Sequence, residues 1–132
     1  MKVYRGLRVA TGATIVGLDD GGVLVHDEED PPFTWGESGS GAMALARSLL
    51  IDHLGFRPAR GVVHAFATRT VATWTSNRWL LTTSEIDDAL IHVRSALQVS
   101  CLQCGDTGRR ERAPRLWGTC ECSRPPTIDP DA

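Results

Sequence analysis

Four cysteines carry the clearest chemistry in the chain. They fall as Cys101-x2-Cys104, then fifteen residues, then Cys120-x-Cys122. Two close pairs across a short loop are the pattern of a four-thiolate zinc site, in which the loop folds back as a β-ribbon. Zinc is borderline-soft and takes four tetrahedral ligands, so clustered thiolates suit it. Gly105 after the first pair permits the turn that aims backbone amides at the sulfurs. Four thiolates leave no open coordination position, which makes such an ion structural and not catalytic. The one-residue spacing of the second pair is the less common form of this knuckle. An iron–sulfur cluster, or thiols that are reduced or disulfide-bonded, are the alternatives. Without the metal, residues 101–122 are expected to be disordered.

Between the pairs lie Arg109, Arg110, Arg112 and Arg115, opposed in that run only by Glu111. Guanidinium groups suit phosphate contacts, and Trp117 could stack on a base. The plainer reading is that the arginines solubilise an exposed hairpin and that the tryptophan covers the metal. A second candidate is an anion site at Ser38, Gly39, Ser40 and Gly41, where a glycine-rich turn meets a helix N-terminus. It lacks the Lys-Ser/Thr of a P-loop, and a tight, close-packed turn explains it better. His26, His53, His64 and His92 are scattered, with no HExxH motif. His53 reads as a satisfied core histidine. Nothing in the spacing of Ser38 or Ser40, Asp52 and His53 supports a hydrolytic triad. Asp27 to Asp30 form an acidic run that reads as a solvated loop, or else as a contact for a basic partner.

These groups need a scaffold, and 132 residues allow one compact domain with a small appendage. Residues 1–100 hold nine basic and eleven acidic groups, and residues 101–132 hold five of each, so no broad nucleic-acid-binding field exists. No window approaches the roughly 18 apolar residues of a membrane span. The N-terminus lacks the apolar core of a signal peptide. The chain is therefore read as cytoplasmic, a reducing setting in which clustered cysteines more often bind metal than pair with each other.

Val3–Val9, Thr14–Leu18 and Val23–His26 predict a three-stranded meander. Ser40 is the expected N-cap and Gly55 the stop of a helix that is apolar on most sides and hence central. Pro58 is placed as a first-turn proline, and Val62 to Trp74 then recurs at helical spacing, although its β-branched content keeps a strand in competition. Trp79 to Leu81 is a short extended lead-in. Thr82 and Glu85 then form a capping box, with Leu81 and Ile86 as its hydrophobic staple. At Ser100 the composition shifts to Cys, Arg, Gly and Pro, which cannot bury a core alone. The expected organisation is an α+β core over residues 1–99, a zinc ribbon over 100–123 and a disordered tail over 124–132. The core would be a small antiparallel sheet of about three strands on about three helices.

The string CLQCGDTGRRERAPRLWGTCEC resembles the small cysteine ribbons of phage and bacterial replication-associated proteins, helicase loaders among them. The resemblance implies a docking or nucleic-acid-contacting module. Tyr4-Arg5-Gly6-Leu7-Arg8, Phe33 to Ala46, Asp52 to Gly55 and Leu81 to Ile86 resemble a family of small uncharacterised bacterial, archaeal and phage proteins, which often has Pro where this chain has Ala42. That implies a stand-alone α+β domain in a phage or mobile-element setting, and no active site. The leading expectation is a non-enzymatic accessory or adaptor protein that binds nucleic acid, or a nucleic-acid-processing complex, through the ribbon. Its rivals are a phage-borne inhibitor of a host defence (for example an anti-CRISPR protein) or replication complex, and a phosphate- or nucleotide-binding enzyme using the glycine-rich turn.

Overall fold

The computed structural model describes residues 2–26, 30–107, 109–113 and 116–120. Strands β1 (Val3–Arg8) and β2 (Thr14–Leu18) pair antiparallel, with Tyr4 opposite Leu18 and Arg8 opposite Thr14. The chain then forms helix α1 (Ser40–Leu54), helix α2 (Arg60–Arg69), a 3-10 turn (Val71–Thr73), strand β3 (Arg78–Thr82) and helix α3 (Thr83–Leu97). A separate hairpin of β4 (Arg109–Ala113) and β5 (Leu116–Thr119) follows. Among the described residues no helix is long and apolar enough to cross a membrane.

The three-stranded antiparallel sheet exists, but its third strand is not the expected one. Its order is β2-β1-β3, with β1 central. Val23 makes only an isolated bridge to Gly17, and Val23 and Val25 are largely exposed. The seat beside β1 belongs to Arg78–Thr82, where burial alternates strictly: Trp79 and Leu81 point inward, Arg78 and Leu80 outward. This period of two is the strand signature, and it extends the expected three-residue lead-in by Arg78 and Thr82. Trp79 lies opposite Gly6, and a Cβ at Gly6 would fall inside its indole ring. The glycine of the Tyr4–Arg8 stretch is there to seat that ring.

Helix α1 is the centre of the core, with Leu45, Leu49 and Leu50 fully buried. It packs against α2, and α2 packs against α3. Burying each leucine is worth about 1.5–3 kcal/mol. Gly55 closes α1 in the left-handed conformation (φ 83°), its amide donating to the Ile51 carbonyl at 2.8 Å. The N-cap is Gly39, not Ser40, which is the first helical residue, and no side chain caps this end. Gly41 explains the tight start: a Cβ there would lie 2.7 Å from the Pro32 carbonyl oxygen.

The segment after Pro58 is helical, as its periodicity predicts, and ends in the 3-10 turn. Pro58 itself is not in the first turn. Ala59 is the extended N-cap residue, so the proline stands one position outside. The Thr82–Glu85 capping box is complete, and its staple residues Leu81 and Ile86 are both buried.

Candidate metal centre

The cysteine turn is built by one carboxylate. Asp106 accepts from the Ser100 amide at 2.9 Å and the Cys101 amide at 2.8 Å. The Gly105 amide donates to the Cys101 carbonyl at 2.9 Å, and the Thr107 hydroxyl to the Cys104 carbonyl at 2.7 Å. Gly105 and Asp106 both take positive φ, 61° and 68°, which folds the turn back on itself. Hairpin β4–β5 then carries Cys120 to the same place.

The sulfurs of Cys101, Cys104 and Cys120 lie within 4.8 Å of one another, and those of Cys101 and Cys120 are 3.7 Å apart. A tetrahedral ion bound about 2.3 Å from each sulfur sets its ligands about 3.8 Å apart. The three thiols therefore fit a metal ion, with Cys104 and Cys120 buried and Cys101 partly so. Cys122 and Arg115, and the side chains of Arg110 and Arg112, lie outside the described residues, as do Asp27 to Glu29 and the tail.

The cluster is fastened to the larger domain. Leu102, between the first two cysteines, is buried and belongs to the same hydrophobic core as α1. Its carbonyl accepts from the Ala59 amide at 2.8 Å. That bond explains the extended Ala59 and the displaced start of α2. Glu111 on β4 is buried and stands 3.8 Å from Arg60 at the start of α2. Arg109 and Trp117 remain on the surface of the hairpin, Trp117 being 44 % exposed.

The structure does not assemble the discounted triad. Ser38 and Ser40 stand at the opposite end of α1 from Asp52 and His53, about 20 Å away at 1.5 Å per residue. His53 Nε2 instead lies 2.7 Å from Asp87 Oδ1 on α3. At the candidate anion turn, the Gly41 carbonyl accepts from the Thr34 amide at 3.3 Å, and Gly41 is buried under residues 32–34. Close packing accounts for this glycine.

One cluster escaped sequence reading altogether. Asp52 accepts from the buried Tyr4 hydroxyl at 2.7 Å and from the Lys2 ammonium at 2.9 Å. Burial pushes the Asp52 carboxyl up, but these two donors and the Lys2 charge together hold it below its ordinary value. Burial first, then the bond to Asp52, pushes the Tyr4 phenol well above its ordinary value. The Lys2 ammonium is raised chiefly by its bond to Asp52. The only sequence signal was a lone Asp on a helix otherwise largely apolar.

A family model described as a family of unknown function (DUF6166) matches residues 4–92. The chain belongs to DUF6166. The matched region of this DUF6166 member runs from β1 into α3, and the cysteine cluster lies beyond it. No curated protein and no solved structure matches the chain.

Proposed function

We propose that the chain is a non-enzymatic accessory or adaptor protein of phage or mobile-element origin. In this reading a structural zinc ion, held by Cys101, Cys104, Cys120 and Cys122, pins a ribbon to the DUF6166 fold. The ribbon then meets nucleic acid or a nucleic-acid-processing complex. The observation that carries the proposal is the convergence of three sulfurs beneath a hairpin that leaves Arg109 and Trp117 at the surface. Cys122 is the fourth ligand by its position two residues after Cys120. Zinc is the metal proposed because it is borderline-soft and takes four tetrahedral thiolates in closed structural sites of this Cys-pair spacing.

What the chain's own residues do follows from their chemistry. Asp106 orders the turn, Leu102 anchors it, and among the described residues the hairpin offers the Arg109 guanidinium and the Trp117 indole to a partner. An exposed indole stacks on unpaired bases, worth about 1–3 kcal/mol per base. Guanidinium contacts to phosphate add affinity that falls as salt rises. Two measurements test this. Elemental analysis of purified protein should find about one zinc per chain, and a value near zero sinks the metal assignment. Labelled single-stranded oligonucleotides should bind with a salt-dependent affinity. Arg109→Glu with Trp117→Ala should weaken binding at least tenfold, and unchanged binding rejects the hairpin as the contact.

A further inference from the structure

Beside the last turns of α1 lies a cavity of about 450 Å³, far from the cysteines in sequence and lined by Leu24, Asp30, Arg47, Ser48, Asp52 and Arg57, among others. Its size falls in the range of small-molecule sites. Most of its charged groups are already committed. Arg47 donates to both carboxylate oxygens of Asp30, at 3.2 and 3.1 Å. Asp52 is held by Tyr4 and Lys2. Two polar groups are left over. Arg57 Nε is buried with no hydrogen-bond partner. Ser48 is only 8 % exposed, and its hydroxyl makes no hydrogen bond among the described residues.

A buried guanidinium N–H with no acceptor is costly in a folded protein unless something pairs with it, and the Ser48 hydroxyl lines the same cavity. Arg57 follows the carbonyl end of α1, but that dipole offers only about half a charge, and no carboxylate forms an ion pair with Arg57 among the described residues. The charges decide the ligand class. Among the described residues Arg47 cancels Asp30 and Lys2 cancels Asp52, leaving the one positive charge of Arg57, which suits a monoanion better than a dianion facing two carboxylates. Leu24 and Ile51 supply apolar wall beside it. We infer that this cavity is a binding site for a small organic monocarboxylate. Its carboxylate would accept from the Arg57 guanidinium and the Ser48 hydroxyl, and its apolar body would lie against Leu24 and Ile51. Carboxylates could come from two sources, a free small molecule or the chain's own Asp27 to Glu29, which connect two residues of the cavity wall. The inference commits to the free molecule.

Benzoate is the probe, with the isosteric neutral amide benzamide as its control, and full-length protein is used throughout. Benzoate should raise the melting temperature saturably and shift the ¹⁵N-detected Arg57 Nε–H resonance, whereas benzamide should do neither. Arg57→Gln, once shown to fold by its spectrum, should weaken benzoate binding roughly tenfold or more, as loss of a charge-assisted hydrogen bond requires. Ser48→Ala should weaken it by less. Equal binding of benzoate and benzamide, or an unmoved Arg57 resonance, overturns the inference. So does benzoate binding that appears only when Asp27, Glu28 and Glu29 are changed to Asn, Gln and Gln, because the chain's own carboxylates would then be the occupant. Absence of binding to both proteins overturns it as well. None of these outcomes bears on the zinc ribbon.

Discussion

Asp52 receives two donors, and the stability of the protein at both ends of the pH scale follows from them. Its folded pKa is depressed, so its contribution is present above the ordinary carboxylate value and is lost as pH falls through the folded value. Tyr4 and Lys2 are both raised. Their contribution is therefore complete below the unfolded values of about 10 and is lost as pH rises beyond them. Urea unfolding from pH 3 to 11 should show both limbs in the wild type. Asp52→Asn should flatten both. Tyr4→Phe should flatten chiefly the alkaline one, at a cost of about 1–3 kcal/mol near neutrality. If its alkaline limb survives intact, Tyr4 is not the group responsible. None of this was readable beforehand, because residues 2, 4 and 52 meet only through the tertiary fold. The cysteines were readable, because thiolates at fixed short spacings have few other uses. Asp106 was not, since its carboxylate accepts from amides five and six residues earlier and not from the Asx-turn position that a short-range pattern would reveal.

At the scale of elements, local signals served well and distant pairing did not. The capping box of α3 was legible because Thr82 and Glu85 stand three residues apart and close on each other. Thr82→Ala should cost about 1 kcal/mol, as loss of such a cap does. The third strand was misplaced because Val23–His26 is as apolar as Trp79–Leu81 and much nearer in sequence. The two lie at opposite edges, Val23 beside β2 and Arg78–Thr82 beside β1, and the pairing that forms is marked by the ring of Trp79 against Gly6, a contact spanning more than seventy residues. The start of α1 gives a sharper contrast. Gly41→Ala should destabilise by about 1–3 kcal/mol, the usual cost of overpacking, since its Cβ meets the Pro32 carbonyl. Gly39→Ala should be near neutral, because its backbone is extended and the space around it is open. Thermal melts of the two variants compare them directly. Equal losses would mean that the turn is held by something other than close packing.

Taken whole, the chain joins a metal-fitting cluster to a core that already has its own hydrophobic centre. Leu102 is the joint, and its role was hidden because a single leucine in a cysteine-rich stretch has no periodicity to betray it. Leu102→Ala should cost about 2–5 kcal/mol, the range for truncating a buried leucine. A strong chelator should lower the melting temperature and remove hydrogen-exchange protection from residues 101–120 and from the Ala59 amide. Amides in the middle of α1 should keep most of theirs, since their burial does not involve the cysteines. If α1 loses protection to the same extent, the metal holds the whole fold and not just the ribbon.

The four tryptophans divide optically along the same joint. Trp74 stacks on Trp79 with ring centres 4.4 Å apart, and Trp35 meets Trp79 edge-on at 5.6 Å. Three indoles so close should couple as chromophores and give a strong near-ultraviolet circular dichroism signal from the core. Trp117 stands alone on the ribbon in contact with water, so the red edge of the emission should belong mainly to it. Dichroism would then report the core while fluorescence reports the hairpin. The molecule carries its own two-colour readout, and no label is needed to watch one part loosen while the other holds.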